Sequence, residues 1–178
     1  GQKIAFVGST GAGKTTITNL LNRFYDIEEG TITIDGKPLK SYKREHLREN
    51  IAMVLQDTHL FTGTVRENIR YGRPDATDEE CIAAAKTIYA DRCIERLRGG
   101  YKHELEENGD GLSAGEKQLI SFARIILKNP SVIVLDEATS SISSDMEVLI
   151  QKALEEILKD RTSFIVAHRL STIRNSDK

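Results

Sequence analysis

The chain has 178 residues and a mass of 19.9 kDa, the size of one domain, and with 39% hydrophobic and 29% charged residues it can bury a core and is not disordered in composition. Lys+Arg 25 against Asp+Glu 27 leaves a formal charge of −2, which advertises no bulk nucleic-acid binding. The longest apolar runs, residues 51–55 and 81–85, fall far short of the ~20 residues of a membrane helix, residues 1–10 are no signal peptide, and Cys81 and Cys93 are too few for a disulfide framework or a zinc site and read as reduced, partly buried thiols.

Residues 3–7 are a short apolar run that meets Gly8, and a helical pattern opens near Lys14. Residues 30–35 alternate Thr and Ile and end in Asp35-Gly36, a strand-and-hairpin signal. Three further runs, 51–55, 132–135 and 163–167, are rich in Ile, Val or Leu between polar flanks, as parallel strands covered on both faces are. Capping boxes mark helix starts: Thr77 with Glu80 before 81–89, Ser113 with Glu116 before 117–128, and Ser144 with Glu147 before 148–158. Asn129-Pro130 stops the second of these. Strands alternating with helices predict an α/β fold, and the mostly helical stretch between Gln56 and Val132 predicts a lobe set into the sheet topology. No repeat, low-complexity tract or long linker interrupts the chain, which reads as one compact unit cut at both ends: the first strand begins at residue 2 or 3, and only ten residues follow His168.

Gly8-Ser9-Thr10-Gly11-Ala12-Gly13-Lys14-Thr15 has the phosphate-loop pattern of glycine, four residues, glycine, lysine and Ser/Thr, between an apolar strand and a helix. Glycines let the backbone curl with its N–H groups inward, and the following helix adds its positive N-terminal end. Lys14 is expected to reach the β- and γ-phosphates and Thr15 to bind Mg²⁺, with Thr16 next in the cradle. Kinases, GTPases and motors all use such a loop, so it leaves the protein's task open.

Residues 132–135 are followed by two acids, Asp136 and Glu137. Ligands of a parallel sheet sit beyond the carboxyl ends of its strands, which brings both acids toward the phosphates. Asp136 is expected in the Mg²⁺ shell and Glu137 beside an attacking water. His168 follows another strand at a matching position; read alone, a structural histidine fits it as well. At Leu112-Ser113-Ala114-Gly115-Glu116-Lys117-Gln118 a plain capped helix start and an anion seat both fit the residues.

Taken together these motifs resemble the nucleotide-binding domain of ABC transporters, most closely the exporter type that moves drugs, lipids or peptides. The resemblance runs from Gly1 to Lys178. It rests on the loop at 8–15, Gln56 after a strand, Leu60-Phe61-Thr62-Gly63-Thr64-Val65-Arg66-Glu67-Asn68-Ile69, the signature at 112–118, the acidic strand end at 132–137 and Ala167-His168-Arg169-Leu170-Ser171. It implies a P-loop NTPase fold with a mainly parallel core sheet, a small antiparallel hairpin and a helical subdomain carrying the signature. The core would take roughly 1–56 and 130–178, and the helical subdomain roughly 57–129. It implies ATP and Mg²⁺ as ligands, Gln56 touching Mg²⁺ or water, Ser113 and Gly115 gripping the γ-phosphate held by an opposite subunit, His168 at the γ-phosphate and Glu137 as catalytic base. Two such domains close head-to-tail over two ATP molecules and drive transmembrane domains from the cytoplasmic face of the membrane; residues 104–109 occupy the place of the loop that contacts those domains in exporters.

The chain departs from the family pattern in three places. Ala114 and Glu116 stand where the commonest signature has glycine and glutamine; alanine is small enough, and Lys117 offsets the charge of Glu116. Ser143 replaces an aspartate: either neighbouring Asp145 compensates or Ser143 keeps a weaker hydrogen bond, or coupling between the two sites is weakened while binding persists. The aromatic residue that stacks on adenine lies upstream of the loop, and only seven residues precede Gly8, so these 178 residues alone are expected to bind ATP weakly. Chromosome-maintenance and DNA-repair ATPases share the ATP head, but they insert a long coiled coil between loop and signature; here Lys14 and Ser113 lie 99 positions apart without sustained heptads. A non-hydrolysing regulatory module is expected to lack Glu137 or His168, and a small-molecule kinase leaves Gln56, Ser113 and His168 unexplained.

Overall fold

A computed structural model describes residues 1–9, 11–55, 58–136, 144–166 and 176–178. The chain divides into two compact units, one built on the parallel sheet and one on helices.

The first unit carries strands β1 (Lys3–Phe6), β4 (Ile51–Val54), β7 (Val132–Asp136) and β8 (Thr162–Val166), hydrogen-bonded in the order β1-β8-β7-β4 with every pair parallel. The four apolar runs of the sequence account for all four. Leu55 falls outside β4 and is 49% exposed, so that strand ends one residue earlier than its apolar run. Helix α1 (Lys14–Leu21) follows β1. The expected hairpin is present but short: β2 (Thr33–Ile34) pairs antiparallel with β3 (Lys37–Pro38) through Asp35 and Gly36, both at positive φ (50° and 77°), as a two-residue type I′ turn requires. Helix α2 (Arg44–Asn50) has too few residues to show a clear period and gives no sequence signal. Its Leu47 packs with Leu39, Ile51 and Val134, and Tyr42, Met53 and Phe164 lie against this cluster.

The second unit contains α3 (Val65–Arg70), α4 (Asp78–Thr87), α5 (Asp91–Ile94), α6 (Ala114–Lys128) and α7 (Ser144–Leu158), with a small antiparallel pair of β5 (Gly63–Thr64) and β6 (Glu104–Leu105). Helix α6 is its centre, packing against α3, α4 and α7. Accordingly Leu119, Ile120, Phe122 and Ala123, which span more than one face of a helix, are all fully buried. Asn129 closes α6 in the left-handed conformation ahead of Pro130, the stop that the sequence announces.

The boxes Thr77/Glu80 and Ser113/Glu116 form as expected, and Thr64/Glu67 adds a third at the start of α3. The box expected at Ser144 does not form a helix start there: Ser144 is itself helical, and the residues before it lie outside the described ones. Asp78 ties α3 to α4 by pairing with both Arg66 and Arg70.

The backbone amides of Thr64 and Thr77 donate to Glu67 (2.7 Å) and Glu80 (2.8 Å), and these bonds hold both carboxyls below their ordinary value of 4.5. A folded-state pKa below the unfolded one stabilises the fold above the unfolded value, and that contribution is lost as pH falls through the folded one. The urea midpoint of the protein should therefore drop as pH falls below the ordinary carboxylate value of 4.5, and Glu67→Gln with Glu80→Gln should make that drop shallower; an unchanged slope would remove the capping carboxylates as its source.

Candidate functional site

Gly11 and Gly13 sit at φ +82° and +88°, and among the described residues nothing stands within 4 Å of where a Cβ would be. Backbone conformation, not crowding, is what demands glycine at these two positions. Gly8 differs, since a Cβ there would stand 3.2 Å from that of Ala12. The amide of Ala12 donates to the Ser9 carbonyl at 3.1 Å, which curls the loop on itself. Lys14 is buried, and its ammonium donates to the carbonyls of Gly8 (2.8 Å) and Ser9 (2.9 Å). Two of its three donors thus hold the loop closed over the side chain. Thr15 and Thr16 are exposed on the first turn of α1, while Thr18 is fully buried and donates to the Thr15 carbonyl at 2.8 Å. Gly13 precedes α1 without any side-chain cap, whereas α3, α4 and α6 all start with one.

Phe6, Val166 and Asp136 are register partners across β1, β8 and β7. The glycine loop leaves β1 one residue after Phe6, so Asp136 ends its strand at the same sheet edge, two strand spacings or roughly 10 Å away. Its carboxylate and the Thr15 hydroxyl are hard oxygen donors. Among the described residues no cluster of three or more His, Cys, Asp or Glu could hold a metal ion. This donor set suits an ion held by one or two protein oxygens together with a phosphate, the usual habit of Mg²⁺.

Gly8, Ser9, Gly11, Ala12, Gly13, Lys14, Thr15, Thr16 and Asp136 are therefore gathered in the sheet unit. Thr10, Gln56, Glu137, Ser143 and His168 lie outside the described residues.

Ser113 and Gly115 are together at the start of α6 in the helical unit. The Ser113 amide and hydroxyl both donate to Glu116 Oε2, at 2.9 and 2.8 Å, and Ser113 Oγ accepts the Glu116 amide at 3.3 Å. Gly115 is buried, and a Cβ there would stand 2.2 Å from Met146 Cγ on α7. Met146 had drawn no attention in the sequence, because only the packing of α7 on α6 brings it over this glycine.

A protein-family model described as ABC transporter matches residues 1–140. The chain belongs to the ABC transporter family. This ABC chain is 55% identical over its full length to an uncharacterized ABC transporter ATP-binding protein, YknV, of Bacillus subtilis, covering 30% of that protein. It is 53% identical over 99% of its length to a fatty acid ABC transporter ATP-binding/permease protein of Mycobacterium bovis, covering 28% of it. Among solved structures it matches a bacterial Atm1-family ABC exporter with ATP bound, with a TM-score of 0.88 and 43% identity over 99% of this chain and 31% of that one. The P-loop fold of an ABC nucleotide-binding domain, inferred from the motifs, is thereby shown, and the chain spans about 30% of the length of the curated relatives it matches.

Gly115→Ala should overpack the α6–α7 contact and lower stability by about 1–3 kcal/mol in urea unfolding. Adding Met146→Ala should recover most of that loss; if the double variant is no more stable than Gly115→Ala alone, Met146 is not what makes glycine necessary.

Proposed function

We propose that this chain is the ATP-binding and ATP-hydrolysing motor domain of an ABC exporter, closing head-to-tail with a second such domain over two ATP molecules to drive membrane-spanning segments. The observation that carries the reading is the seat at the sheet edge: a buried Lys14 clamped to Gly8 and Ser9, an α1 start without a side-chain cap, and Asp136 on the same level of the sheet. Uncapped amides and the helix dipole favour an anion there, and a lysine beside them supplies a full positive charge. The names of the relatives support an exporter: one is a fatty acid ATP-binding/permease protein and another an Atm1-family exporter with ATP bound. No helix among the described residues is long and apolar enough to cross a membrane. In the exporter reading the domain drives membrane-spanning segments from the cytoplasmic face.

In this reading the loop amides and Lys14 orient the β- and γ-phosphates, Lys14 exchanging a loop carbonyl for a phosphate oxygen as ATP arrives. Bound Mg²⁺ supplies neutralisation of phosphate charge, with Thr15, Asp136 and Gln56 as the residues to hold it. Glu137 accepts the proton of the attacking water, and His168 donates to the γ-phosphate. Ser113 and Gly115 close on the γ-phosphate bound to the opposite domain. The sheet unit then serves as the ATP core and the helical unit as the signature subdomain.

Glu137→Gln in the full-length protein should lower the ATP hydrolysis rate by about 10²–10⁴-fold with nucleotide binding retained. Lys14→Ala should instead weaken nucleotide binding itself. Full turnover by Glu137→Gln would assign the base elsewhere, and unchanged nucleotide affinity in Lys14→Ala would overturn the seat.

A further inference from the structure

Arg124 lies two-thirds of the way along α6, half-buried between the buried Ala123 and Ile125. Its guanidinium has three separate acceptors: Nε donates to the Asn68 carbonyl (2.6 Å), Nη2 to Asn68 Oδ1 (2.5 Å) and Nη1 to the His59 carbonyl (2.7 Å). Asn68, only 2% exposed, binds the same loop again, accepting the Phe61 amide (2.8 Å) and donating to the carbonyls of Phe61 (2.8 Å) and Thr64 (3.1 Å). The rings of Phe61 and Tyr71 lie 5.2 and 5.8 Å from the guanidinium carbon and 4.8 Å from each other. At Gly72 a Cβ would stand 2.2 Å from the Arg124 carbonyl, so the chain leaving α3 presses directly on the α6 backbone.

Among the described residues no carboxylate pairs with Arg124, and burial pulls its pKa down from the ordinary guanidinium value. Among the described residues its hydrogen bonds go to two backbone carbonyls and one amide oxygen. Its planar fork can serve three diverging acceptors while stacking on aromatic rings, which the point charge of a lysine cannot do. The two ends of this brace are informative. His59 follows Gln56 by three residues, and Ser113 opens the helix that carries Arg124, about 16 Å back along its axis.

We propose that Arg124 is a positioning residue that joins the segment after Gln56 to the signature helix as one piece, so that the Gln56 and Ser113 contacts with nucleotide are made and withdrawn together. The inference rests on the nucleotide roles proposed above for those two residues; Arg124 itself touches no ligand.

The test uses the full-length protein and compares Arg124→Lys with the natural chain. Expected are an ATP dissociation constant within about twofold, because the glycine loop belongs to the other unit, and a kcat lowered about tenfold without a matching rise in KM. Hydrogen exchange should report the uncoupling: with ATP the amides of 58–64 and 114–120 gain protection together in the natural chain, and only one segment does so in Arg124→Lys. Natural kcat with joint protection in Arg124→Lys overturns the inference. Absence of ATP hydrolysis in the natural chain overturns the functional reading instead. Should Arg124→Lys not fold, Arg124→Gln decides in its place. Its single amide cannot serve the His59 and Asn68 oxygens at once, so joint protection and unchanged kcat in that variant overturn the inference equally.

Discussion

The all-parallel ladder is the constraint on which the rest of the sheet unit depends. Parallel strands cannot be joined by tight turns, so each crossover passes over a face of the sheet and every strand delivers its last residue to the same edge. The register makes this concrete, with Phe6, Val166 and Asp136 on one level. What brings a glycine-rich loop and an acid together is thus backbone hydrogen bonding along β1, β8 and β7, in which the side chains of the site take no part. The site can consequently hold a lysine with its ammonium inside a loop curled by two left-handed glycines. The ladder fixes where they stand, and the lysine bonds the carbonyls that the curled backbone turns toward it.

The helical unit has no ladder to do this, and α6 takes its place. Its contacts with α3, α4 and α7 depend on residues at the two extremes of size and charge. Gly115 lets Met146 in, Gly72 lets the chain after α3 reach the α6 backbone, and Arg124 reaches out to acceptors that apolar packing leaves behind. Packing of Phe122 and its neighbours supplies cohesion but little direction, because apolar contact is non-directional. Orientation comes from the polar bonds of Arg124 and Asn68, whose partners are fixed in both distance and angle.

This division explains what could be read from the sequence. The glycine loop, the four parallel strands and the end of α6 were legible because each is set by a local pattern: residue types at fixed spacing, an apolar run, or Asn-Pro after a helix. The β5–β6 pair was not, since two-residue strands centred on Thr64 and Glu104 carry no periodicity and meet only when the unit folds. Ser144 misled because serine followed three places on by glutamate is a common helix start, yet α7 already includes it. Arg124 was hidden for a different reason: its acceptors are 56 and 65 residues away, and nothing local distinguishes it from a surface arginine. Gly115 was legible as a need for small size, but the need comes from Met146 on another helix. At Gln56, Glu137 and His168 the motif remains the whole of the argument, because these residues lie outside the described ones.

The two helix starts assigned to phosphate are not equivalent, and the difference bears on order of events in the proposed cycle. At α1 no side chain caps the first turn, and Lys14 must only trade a loop carbonyl for a phosphate oxygen. At α6 the Ser113 hydroxyl and amide already share Glu116 Oε2, in the same kind of box that opens α3 and α4. A hydrogen bond that replaces one already made adds little free energy, typically about 1 kcal/mol or less, and here the displaced acceptor is itself an anion. On the proposed reading the α1 seat would accept nucleotide in a single domain. The α6 start would gain only when the rest of the closing surface contributes, which would make engagement of the signature the later and weaker step of the two.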